Sequence, residues 1–224
     1  MICRLYSFFG NFDTVIFMSH PSNPTFKPGQ VLRTEDLRQW SANPSRLGKR
    51  LVQEGKLEFL KQGLYVAPRS SKFGKVPPDS QALLQTFLKN SPYLETGPKA
   101  WNALGLGSTS VFTGALVYNT KRSGRFTFAG KAFDLRRVRF PATPTPEWFV
   151  VDLMEHHDEA GASLETLGSR LAAAMRTRRF DREKLLSMAE EFGTHRTLRV
   201  IIKALREAGL GLSSSKSPNS PSRA

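Results

Sequence analysis

Apolar positions along the chain change period several times, and each change marks a predicted element. In GQVLRTEDLRQWSANPSRLGKRLVQEGKLEFLKQGLYVAP, from Gly29 to Pro68, Leu37 and Trp40 lie at helical spacing behind Thr34, a good cap. Ser41-Ala42-Asn43 then reads as a short turn. Asn43 is an N-cap type, Pro44 suits a first helical position, and Leu47, Leu51 and Val52 supply one apolar face before Gly55 ends the helix. Lys56 to Leu60 alternates like a strand, Lys61-Gln62-Gly63 makes a turn, and Leu64-Tyr65-Val66 returns. Helix, short turn, helix and hairpin is the order of a winged helix-turn-helix.

Beyond it, Asp79 or Ser80 opens a helix with Leu83, Leu84, Phe87 and Leu88 on one side. A short helix is expected around Trp101 and Leu104, and a strand from Val111 to Tyr118. A hairpin is expected around Gly130, joining Arg125–Phe128 to Phe133–Phe140. After Pro146 the spacing of Phe149, Leu153, Leu164, Leu167, Leu171, Leu185, Met188, Val200, Ile201 and Leu205 is helical. The predicted class is α+β: a winged helix-turn-helix, a mixed α/β middle region and C-terminal helices. The expected boundaries are 1–26 for an extension and linker, 27–70 for the DNA-binding domain, 71–212 for the α/β domain with its closing helices, and 213–224 for a low-complexity, disordered tail. Residues 1–17 are either an over-long start before Met18 or a native strand or arm.

Charge sharpens this picture. The 224 residues carry 33 Lys+Arg against 19 Asp+Glu, a formal charge of +14. Residues 27–70 hold +5 of it and residues 71–142 hold +8, whereas residues 143–212 sum to −1. A polyanionic partner is therefore expected on the first two thirds of the chain. Cys3 is the lone cysteine, so neither an intramolecular disulfide nor a thiolate zinc cluster can form. No apolar run reaches membrane-span length. A cytoplasmic protein with no membrane partner is the expectation.

The helix from Pro44 to Glu54 is the candidate recognition helix. Opposite its apolar face lie Arg46, Lys49 and Gln53, flanked by Ser45 and Arg50. Arginine can fork onto guanine, glutamine can pair with adenine, and lysine can hold phosphate. Lys61 at the hairpin tip can reach backbone or minor groove. A second cluster, Lys121, Arg122, Arg125, Lys131, Arg136, Arg137 and Arg139, interleaves with Phe126, Phe128, Phe133 and Phe140. Strand alternation would place the phenylalanines inside and make the cations a second phosphate-contacting surface. A sheet exposing aromatics to RNA is the alternative.

Catalytic signals are absent from the sequence. His20, His156, His157 and His195 offer no i, i+4 metal pair, and the run Asp152, Glu155, Asp158, Glu159 reads as a solvated helix end. GLGSTS, Gly105–Ser110, lacks the Lys-Ser/Thr ending of a phosphate loop and suits a helix cap and turn. Gly168-Ser169 lacks the carboxylate pair of a nucleotidyltransferase. No catalytic residue, metal or cofactor is expected.

Gly29–Pro68 resembles the N-terminal domain of AbiEi-type antitoxins, from abortive-infection toxin-antitoxin systems. Leu47, Arg50, Leu51 and the string EGKLEFLKQGLYVAP carry the likeness, with a one-step departure in spacing at Val52–Gly55. KFGKVPPDSQALLQTFLKN, YLETGPKAWNALGLGS and KLLSMAEEFGTHRTLRVIIKAL are similar to later segments of the same family, so the likeness spans most of residues 29–208. Each motif is loose; their ordered series is more specific. The resemblance implies a repressor of its own promoter, bound to a duplex operator, that counteracts a co-encoded nucleotidyltransferase-like toxin. Direct toxin binding and a homodimer on DNA stay open. A nucleic-acid-processing enzyme and a plain DNA- or RNA-binding module are the competing classes.

Overall fold

A computed structural model describes residues 24–107 and 114–210; the expectations for residues 1–17, His20, Ser108–Ser110, Val111 and the 213–224 tail lie outside them. The chain is α+β and divides into two units, one closing at Phe87 and the next opening at Leu88. That division falls later than the expected boundary at Ser70–Ser71. A hairpin and a helix beyond the boundary belong to the first unit.

In the first unit, β1 (Val31–Arg33) leads into a 3-10 helix (Thr34–Gln39) and then α1 (Pro44–Gln53). β2 (Glu58–Lys61) and β3 (Leu64–Val66) follow, and the three strands form an antiparallel sheet in the order β1-β3-β2. The expected first helix is thus a short 3-10 segment, and Thr34 is not its cap. Pairing with β3 carries the chain in extended form through Arg33, and the Thr34 N–H is committed to the Gly63 carbonyl at 3.0 Å. Asp36 instead closes the turn by accepting from the Arg33 N–H at 2.7 Å.

α1 starts and stops at its expected signals. Asn43 Oδ1 accepts from the Arg46 N–H at 3.0 Å, and Pro44 occupies the first turn, where its missing donor costs nothing. At the far end Gly55 takes φ +70°, and the Leu51 carbonyl accepts from Lys56 and Leu57. Leu47 and Leu51 join Leu32, Leu37, Leu57, Tyr65 and Ala67 in a small buried core, edged by Phe26, Trp40 and Val52. β4 (Ser70–Ser71) and β5 (Gly74–Lys75) make a second, unanticipated hairpin. α2 (Ser80–Phe87) follows, with Asp79 capping Ala82 at 2.9 Å, and it packs on β1.

The second unit is built on a four-stranded mixed sheet, ordered β6-β7-β9-β8. Its strands are β6 (Tyr93–Thr96), β7 (Gly114–Asn119), β8 (Gly124–Phe128) and β9 (Lys131–Arg137). β7 and β9 run parallel, and the other neighbours are antiparallel. α3 (Pro98–Ala103) follows β6; α4 (Pro146–Glu155), α5 (Leu164–Arg176), α6 (Arg182–Phe192) and α7 (His195–Glu207) close the unit. Side chains of Thr145, Ser163, Asp181 and Thr194 cap these last four helices. Their apolar faces bury Leu153, Leu167, Leu171, Leu185 and Ile201 with Trp101, Leu116, Tyr118 and Trp148. Gly168 lets α5 approach α7: a Cβ there would stand 2.9 Å from Val200 Cγ1.

Candidate nucleic-acid interface

The sequence pattern of α1 becomes a surface with two distinct sides. Leu47, Gly48 and Leu51 are buried, while Ser45, Arg46, Lys49, Arg50 and Gln53 are exposed. Arg46, Lys49, Arg50 and Gln53 line a recess of about 430 Å³ with Ser41 and Asn43. Among the described residues no side-chain partner engages Arg46, Lys49 or Gln53. Arg50 differs, since its Nε lies 3.5 Å from Glu54. Lys56, 2.9 Å from Glu54, hydrogen-bonds that carboxyl and holds it below the ordinary carboxylate range, with Arg50 adding to the effect. Arg50 is therefore partly compensated, and Arg46, Lys49 and Gln53 form the free head of the surface. Lys61 is exposed at the end of β2, beside the turn to β3.

The second basic cluster does not form one surface. Directly paired residues share a face of a sheet. Arg125 pairs with Asp134, and Tyr118 with Arg136, so Arg125 and Arg136 lie on the face that carries Tyr118. Lys131 pairs with Phe128, and Arg137 with Asn119, placing both on the opposite face with Phe126, Phe128 and Phe133. The expected separation of phenylalanines inside from cations outside therefore fails. Phe128 and Phe133 are buried, but cations stand on both faces. Arg136 is only half-exposed and lies 3.2 Å from Asp134 and 2.9 Å from Glu159, so its charge is answered internally. Arg139 lies 3.4 Å from Glu191. Lys121 and Arg122 sit in the β7–β8 turn, where buried Asn119 accepts from both of their N–H groups at 2.9 and 2.8 Å.

One polar constellation escaped sequence reasoning. Asp152 is not part of a solvated run; it is 5% exposed. Its carboxylate accepts from Thr96 Oγ1, from Trp101 Nε1 at 2.8 Å and from Tyr118 OH at 2.7 Å. His156 Nδ1 donates to the Asp152 carbonyl at 2.8 Å, and its ring stacks on Trp101 at 5.5 Å. Burial, reinforced by the Asp152 charge, pushes the Tyr118 phenol far above its ordinary range. Every strong donor here has a partner, as a buried carboxylate requires. Glu155 accepts from the Thr194 N–H at 2.6 Å and Glu159 holds Arg136, leaving Asp158 as the solvated member of the run. The Leu106 and Gly107 carbonyls accept from Arg170 at 3.0 and 2.8 Å. Leu106 and Gly107 thus present acceptors to a cation. Among the described residues, no group of three or more His, Cys, Asp and Glu could hold a metal, and no helix is long and apolar enough to cross a membrane.

No protein-family model matches this chain, and no curated protein matches it significantly.

Proposed function

We propose that this chain is a duplex-DNA-binding protein whose first unit is a winged helix-turn-helix, with α1 as its recognition helix and β2–β3 as its wing. The observation that carries this reading is the free face of Arg46, Lys49 and Gln53, opposite buried Leu47 and Leu51. A helix held by one apolar side and offering a guanidinium, an ammonium and an amide on the other suits a major groove. Lys61 at the wing adds a backbone contact. In the second unit, exposed Lys121 and Arg137 are the better placed phosphate contacts. Arg136 contributes to packing instead.

The biological role proposed is that of an antitoxin acting in the cytoplasm. It represses its own promoter and counteracts a co-encoded nucleotidyltransferase-like toxin, without chemistry of its own. The sequence resemblance to AbiEi-type antitoxins supports this half. The DNA half is tested by mobility shift of full-length protein on duplex from upstream of its gene, against single-stranded RNA of equal length. The antitoxin half is tested by toxin co-expression with and without this chain. Growth restored only with the chain present supports it; unchanged toxicity removes it.

A further inference from the structure

The β4–β5 hairpin is built to display one aromatic side chain. Ser71 Oγ accepts from the Phe73 N–H at 3.2 Å and donates to the Gly74 carbonyl at 3.3 Å, closing the tip. Gly74 turns the chain at φ +109°, a conformation that favours glycine. Phe73 projects from this turn 89% exposed, with Lys72 Nζ 5.0 Å from its ring centre. The base of the hairpin is fastened twice. Val76 donates to the Arg69 carbonyl at 2.8 Å, and Lys75 bonds Glu58 of β2 at 2.6 Å. Lys75 is answered by that carboxylate, which leaves Arg69 and Lys72 as the cations beside the tip. An aromatic ring held out on a braced loop, with Arg69 and Lys72 beside it, matches a polyanion with apolar base stacks inside.

We propose that this hairpin is a second DNA-contacting finger, in which Phe73 enters the minor groove as a wedge against a base step while Arg69 and Lys72 hold the flanking phosphates. The proposal rests on the duplex-DNA reading of the same unit. A single side chain at a tight tip fits a groove roughly 6 Å wide, whereas a helix does not. Partial unstacking by such a wedge bends the duplex towards the major groove.

The test uses full-length protein and a duplex of roughly 30 base pairs from upstream of its gene, carrying a fluorophore at each end. Affinity and end-to-end energy transfer are read together. The wild type should bind and shorten the end-to-end distance. Phe73→Ala, at a fully solvated position, should melt like the wild type, bind about tenfold more weakly and leave the duplex straight. Phe73→Trp should retain the bend, and its added emission should be quenched by DNA. A Phe73→Ala protein that binds and bends like the wild type overturns the wedge while leaving the duplex-DNA reading intact. Failure of the wild type to bind any duplex removes that reading and the wedge with it.

Discussion

The hydroxyl oxygen of Tyr65 lies 2.7 Å from where a Cβ on Gly48 would stand, and its Cζ lies 2.8 Å away. Glycine in mid-helix normally weakens a helix. Here it lets α1 seat directly on β3, so the sheet sets the angle at which Arg46, Lys49 and Gln53 are presented. Gly48→Val should lower the stability of the first unit by about 1–3 kcal/mol through overpacking. Combining it with Tyr65→Ala should recover part of that loss relative to Tyr65→Ala alone. Urea denaturation of the four proteins of this cycle measures the coupling, and strict additivity would show that the two residues do not compete for space.

The Asp152 cluster holds β6, α3, β7 and α4 together through one carboxylate. Asp152→Ala leaves the donors of Thr96, Trp101 and Tyr118 without their acceptor. A loss of at least about 3 kcal/mol is expected for the second unit. Trp101 emission should shift in parallel, since its indole N–H loses its partner. Unaltered denaturation midpoints would mean that the cluster is not a structural tie.

Tyr118 gives the second unit an alkaline limit. Its phenol is raised above the ordinary value of 10.0, first by burial and then by the Asp152 charge. The folded state therefore keeps a proton that the unfolded chain releases above that pH. The associated stability is complete below pH 10.0 and declines as pH rises past it. One such proton corresponds to about 1.4 kcal/mol per pH unit. Tyr118→Phe should flatten the fall of stability between roughly pH 10 and 11 by that amount, at the expense of stability near neutrality. Equal slopes for both proteins would place the alkaline limit elsewhere.

Arg136 separates packing from DNA contact. It is held by Asp134 and Glu159, so Arg136→Gln should lower thermal stability and leave the dependence of log affinity on log salt unchanged. Lys121→Gln or Arg137→Gln should instead reduce that slope by about 0.9 for each phosphate that is no longer neutralised. A reduced slope for Arg136→Gln would show that its two carboxylates release it on binding.

Local signals are legible in the sequence, and long-range ones are not. Asn43-Pro44 and Gly55 bracket α1 because capping and left-handed backbone depend on a few neighbouring residues. Thr34 misleads, because the pairing of β1 with β3, across an intervening helix and hairpin, decides where its N–H goes. The acidic neighbours of Asp152 suggest a solvated position. Its three donors come from residues 34 to 56 positions away, and no periodicity reports that. The split of the second basic cluster is legible in part, since alternation sets adjacent Arg136 and Arg137 on opposite faces and Lys131 with Phe133 on one; register adds which residues of β7 and β8 join each face. The β4–β5 hairpin is invisible in the sequence because two-residue strands carry no pattern.

If the outer face of α1 reads duplex DNA, a titration of its exposed side chains shows it most directly. Full-length wild type, Arg46→Ala, Lys49→Ala and Gln53→Ala are titrated onto duplex from upstream of the gene and onto a scrambled duplex, with melting curves recorded alongside. The replaced side chains are exposed, so melting should not change. Arg46→Ala and Gln53→Ala should each cost about 1–3 kcal/mol on the native duplex and narrow its advantage over the scrambled one. Lys49→Ala should weaken both duplexes alike. Wild-type affinity and selectivity in all three variants would contradict the assignment of α1 as the reading helix.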